Sequence, residues 1–132
     1  MTCSRHLNRL ALLVLLSVAG GCGKSDKPSG PVVDSFTGSV VADGKPVSFP
    51  PADQVEIMLF SDKGSQLRVP ISPEGTFKLG WMPVGKHTAS LTRMKSIEGK
   101  KGGQTTHSIP GGLDIVEGKT EYTIELGKNF KL

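Results

Sequence analysis

The chain has 132 residues, with 16 Lys and Arg against 12 Asp and Glu, and a formal charge of +4. Two cysteines rule out a disulfide scaffold, while 17 glycines and 9 prolines point to a turn-rich domain. The length suits one modest domain rather than two, and so small a charge gives no ground for nucleic acid as a partner.

Residues 1–21 read as a secretory leader. Arg5 and Arg9 give it a positive start, and Leu10 through Ala19 is apolar apart from Ser17. Ala19, Gly20 and Gly21 then run directly into Cys22. The apolar run is too short for a hydrocarbon core of about 30 Å. This arrangement resembles the lipobox of bacterial lipoproteins, with Ala19 at the place where Leu is common. The resemblance implies cleavage before Cys22 and acylation of its thiol. It places the chain in the bacterial cell envelope, lipid-anchored on the non-cytoplasmic side of a membrane. Cys3 would leave with the leader, so Cys22 would carry the only mature thiol. Each buried acyl methylene contributes roughly 0.8 kcal/mol, and two chains anchor stably where one does not. Arg5 and Arg9 would leave as well, which lowers the mature charge further.

Residues 22–35 are expected to be a flexible tether. Gly23 to Asp34 reads GKSDKPSGPVVD, rich in Gly and Pro and without periodicity. Such a segment reaches at most about 40 Å when stretched, which keeps the domain near the bilayer.

From residue 36 to 132 the pattern is short alternating runs. Phe36, Gly38, Val40 and Ala42 share one parity. Val55, Ile57 and Leu59 alternate with Glu56 and Met58, and Phe77 and Leu79 with Thr76 and Lys78. Ala89 and Leu91 alternate with Thr88, Ser90 and Thr92, and Tyr122, Ile124 and Leu126 with Glu121, Thr123 and Glu125. Period two means one buried and one wet face per strand. Turn residues separate these runs at Asp43-Gly44, Pro73-Glu74-Gly75, Pro83-Val84-Gly85 and Glu117-Gly118-Lys119. About seven strands at this spacing predict an all-β, antiparallel β-sandwich, with a small barrel as the alternative.

The segments FTGSVVADGKPV, VEIMLFSDKGSQ, ISPEGTFKLGWMPVGKHTASL and LDIVEGKTEYTIEL together resemble the carboxypeptidase regulatory-like, or transthyretin-like (prealbumin-like), β-sandwich domain. They look like the small planctomycete-type bacterial lipoproteins that carry one such domain behind a lipobox. Glu74 stands where Asp is usual, and His87 where an aromatic residue is common. The resemblance implies an accessory, non-catalytic domain, with Asp and Glu acting as caps and turn stabilisers.

Candidate chemistry is sparse. His87 shares the parity of Ala89 and Leu91, which predicts a partly buried ring bonded to backbone. His107 falls in a polar stretch read as a surface loop. A small transthyretin-like or metal-dependent hydrolase using His87 and His107 is the alternative function; it requires the two to converge with a third group, since zinc takes three or four protein ligands. Ser108 lacks a G-x-S-x-G context. The acids Asp53, Glu56, Asp114 and Glu117 read as solvated charges, and Gly99 to Gly103 as a flexible loop. No catalytic residue, cofactor or metal is therefore assigned. Trp81 and Met82, between Leu79 and Pro83, are the candidate binding surface. They either cap the core or stack on a sugar ring or partner. The partners expected are the lipid bilayer through acylated Cys22 and an envelope protein or glycan.

Overall fold

The computed structural model describes residues 29–132. The expected leader, residues 1–21, and Cys22 lie outside the described residues. Eleven strands follow one another: β1 (Val32–Val33), β2 (Phe36–Ala42), β3 (Lys45–Pro46), β4 (Gln54–Ser61), β5 (Gln66–Ile71), β6 (Thr76–Leu79), β7 (Met82–Pro83), β8 (Gly85–Ile97), β9 (Lys100–Ser108), β10 (Leu113–Ile115) and β11 (Glu121–Glu125). They form three sheets. One runs β10-β8-β4-β5 with β9 also on β8, a second runs β11-β2-β3 with β6 also on β2, and β1 pairs with β7. The result is all-β with broadly sandwich-like packing.

The predicted parity holds where a strand has one dry face. Val55, Ile57 and Leu59 of β4 are buried, as are Ala89 and Leu91 of β8 and Tyr122 and Ile124 of β11. Phe36 is closed to solvent and joins three strands, its ring lying 4.9 Å from that of Phe77 and 5.1 Å from that of Tyr122. Aromatic rings at such separations attract beyond their buried area.

Four expectations need correction. Eleven strands replace about seven, because β1, β3 and β7 have two residues each, too few for alternation to register. The sandwich is not wholly antiparallel: β11 runs parallel to β2, pairing Tyr122 with Gly38 and Ile124 with Val40. Hairpin neighbours must be antiparallel, but β11 returns from the far end of the chain and is free to run either way. Gly99 to Gly103 is not a flexible loop: Lys100 to Ser108 is a strand that pairs with β8 through a turn in which Glu98 and Gly99 both have positive φ, at 51° and 75°. That conformation at two successive residues is the tight hairpin geometry. Finally, the fold begins before residue 36, since Val33 is 4% exposed and pairs with Met82.

Two glycines are fixed by close approach. A Cβ on Gly38 would lie 1.8 Å from the Tyr122 carbonyl oxygen, so the parallel pairing requires its absence. Gly75 turns the chain at φ +76°, and a Cβ there would lie 2.0 Å from the Val47 carbonyl oxygen. At the end of β11, Glu125 accepts the Asp43, Gly44 and Gly127 N–H groups at 2.8, 3.1 and 2.8 Å. These amides, Gly127 first, hold its carboxyl below the usual glutamate range.

Candidate functional site

The site is built where the chain enters the fold. Val33 pairs with Met82 and Val32 with Pro83, while the Val84 N–H donates to the Pro31 carbonyl at 3.0 Å. Met82 is fully buried and belongs to the core, so it is removed from the candidate surface. The reason is pairing: β1 seals β7 against the core, a contact invisible in the local sequence. Neighbouring residues of an extended segment face opposite ways. With Met82 turned inward, Trp81 is left partly exposed.

Trp81 borders a cavity of about 390 Å³ that also meets Ser61, Lys63, Ser65, Lys86 and His87. Gly30 and Pro31 from the entering chain complete one side, and Asp62 adds a carboxylate. The β4–β5 turn is held by the Ser61 N–H donating to the Ser65 carbonyl at 2.9 Å and the Ser65 N–H donating to Ser61 Oγ at 3.0 Å. Lys63 and Lys86 are exposed, so the rim carries two ammonium groups against one carboxylate. A second, more open depression of about 500 Å³ adjoins it and shares Ser61, Asp62, Lys86 and His87.

His87 stands between the two. It is 5% exposed, and its Nδ1 lies 3.0 Å from the Gly85 carbonyl oxygen. A carbonyl only accepts, so Nδ1 carries the hydrogen and Nε2 of the neutral ring is a bare acceptor. Among the described residues, Nε2 is the only buried side-chain nitrogen or oxygen without a hydrogen-bond partner.

His107 lies elsewhere. It sits in β9 rather than a loop, opposite Leu91 of β8. Its Nε2–H donates to the Leu126 carbonyl at 2.6 Å, and its ring meets Phe130 edge-on at 5.2 Å. His87 and Leu91 are four residues apart on β8, roughly 13 Å at a strand's rise. The structure does not bring the two histidines together. Among the described residues, no group of three or more His, Cys, Asp or Glu side chains could hold a metal ion.

Asp53 is not a solvated charge. It accepts the Ser96 N–H at 3.1 Å and pairs with Arg93 Nε at 2.6 Å, with side chains only 5% and 11% exposed respectively. The Ser96 amide and then the Arg93 guanidinium hold its carboxyl below the usual aspartate range. Glu56 reaches Arg68 at 3.6 Å on the surface, and Asp114 and Glu117 are exposed. Ser108 and His87 both border the second depression, but the His87 ring bonds the Gly85 carbonyl and its Nε2 has no hydrogen-bond partner among the described residues, so the two are not joined.

Fold and site together define an all-β, sandwich-like domain with a cavity of about 390 Å³ beside a partly exposed tryptophan. No protein-family model matches the chain, and comparisons with curated proteins and with solved structures returned no match.

Proposed function

We propose that the chain is a membrane-anchored envelope lipoprotein, held by acylated Cys22, whose β-sandwich is non-catalytic and binds a protein or glycan in support of envelope structure. The observation that carries the binding role is Trp81, partly exposed at the mouth of a cavity where the chain enters the domain. An aromatic face beside convergent polar groups is the usual makeup of a recognition site. The anchor rests on the leader and its lipobox-like end. Residues 22–29 span at most about 25 Å, so the cavity works close to the bilayer. The assignment to a carboxypeptidase regulatory-like, transthyretin-like sandwich rests on the sequence resemblance of the four segments from Phe36 to Leu126. No observation favours the hydrolase reading, since His87 and His107 lie apart with separate partners.

The test is capture from envelope extracts by the full lipidated chain, beside a Trp81→Ala chain. The proposal expects a specific protein or glycan that the variant fails to retain. Recovery of nothing specific, or the same set on both chains, contradicts it.

A further inference from the structure

We infer that the Trp81 cavity is a binding site for an acidic sugar unit, a pyranose ring bearing a carboxylate; this rests on the binding role just proposed and names its ligand class. At about 390 Å³ the cavity falls within the range of small-molecule sites. Its chemistry divides into three parts. Trp81 offers an indole, whose flat apolar face suits the C–H side of a sugar ring. Lys63 and Lys86 outnumber Asp62 on the same rim, so a carboxylate on the ring is favoured over a neutral substituent or a cation. The hydroxyls meet the third part.

That third part is His87. With Nδ1–H committed to Gly85, Nε2 is an acceptor lacking a donor. Buried acceptors in native structures nearly always have a partner. A sugar hydroxyl is a donor of the right kind, while an ionised carboxylate has no proton to give. His87 lines both depressions, and its unpartnered Nε2 is the acceptor assigned to a ligand hydroxyl there. Ser61 Oγ already accepts from the Ser65 N–H, and its own hydrogen remains for a ligand oxygen. A simple carboxylate such as acetate would use the lysines alone; an acidic sugar uses all three parts.

Trp81 is the only tryptophan in the chain, so intrinsic fluorescence of the full protein reads this cavity directly. The probes are methyl β-D-glucuronide, methyl β-D-glucoside, which has a hydroxymethyl in place of the carboxylate, and acetate. The glucuronide is expected to give a saturable emission change, with the glucoside weaker by about two- to fivefold, the range for a solvent-exposed ion pair. Lys63→Ala/Lys86→Ala brings the glucuronide to the level of the glucoside. His87→Phe weakens both sugars about two- to tenfold. Should that variant not fold, the imidazole nitrogen resonances of the unmodified chain must shift on adding glucuronide. Unmoved resonances overturn the role given to His87. Equal affinity for the two glycosides overturns the acidic-sugar inference and leaves glycan binding standing. Acetate matching the glucuronide overturns recognition of the ring. No response to either sugar overturns the inference together with a glycan ligand at this cavity.

Discussion

Replacing Phe36 with leucine tests whether the aromatic cluster ties β2 to both β6 and β11. Phe36 is fully buried, with ring centroids 4.9 Å from Phe77 and 5.1 Å from Tyr122. Each such pair contributes about 0.5–1.5 kcal/mol beyond its buried area. Leucine keeps an apolar side chain of broadly similar size, a change that by itself costs less than about 1.5 kcal/mol. The combined loss is therefore about 1–4.5 kcal/mol, centred on about 2.5 kcal/mol. For a domain of this size each kcal/mol moves Tm by about 4–8 °C, so a fall of about 10–20 °C is expected. Urea unfolding followed by far-UV circular dichroism measures the free energy. A double-mutant cycle with Phe77→Leu isolates the ring pair, with a coupling of about 0.5–1.5 kcal/mol expected. Effects that add to within about 0.3 kcal/mol would refute the reasoning, because rings in contact must couple.

Gly38→Ala places a methyl 1.8 Å from the Tyr122 carbonyl oxygen; its cost should exceed the roughly 1 kcal/mol of an average substitution, and amide exchange along 121–125 should quicken if the domain still folds. Tyr122→Phe removes the hydroxyl that accepts the Val116 N–H at 3.0 Å, an expected loss of about 0.5–1.5 kcal/mol by chemical denaturation. A free energy equal to that of the parent chain would place the hydroxyl in water instead. Asp53 gives a pH signature. Its folded-state pKa is depressed, first by the Ser96 amide and then by Arg93. Such a group stabilises the fold above its unfolded-state pKa and loses that contribution as pH falls through the lower, folded value. Stability should thus decline on the acid side below the ordinary aspartate range, and Asp53→Asn should flatten that limb. An acid limb of unchanged slope argues against the pairing.

What the sequence discloses depends on how many residues a contact needs. Val55, Ile57 and Leu59, or Tyr122 and Ile124, announce a buried face by alternation alone, since one dry side is a local property. Asp43-Gly44 likewise announces its turn. Met82 looked like a surface neighbour of Trp81 because its burial depends on Val33, which lies far back along the chain. Lys100 to Ser108 carries no large apolar residue, so its strand pairing with β8 leaves no alternation to read. Asp53 meets Arg93 forty residues away, and Glu125 meets the Asp43 amide eighty-two residues away. Neither partner is implied by spacing. The cavity is the most distributed feature of all. Trp81 signals it, but its walls come from the entering chain, the β4–β5 turn and the start of β8. Only folding assembles them.

The proposed lipid anchor would set where any ligand is met, so the most direct measurement is the intact mass of the native protein purified from membranes. The expected species is a chain beginning at Cys22 whose mass exceeds that of residues 22–132 by its acyl groups. A chain retaining residues 1–21, or a mature chain with an unmodified Cys22 thiol, would contradict it.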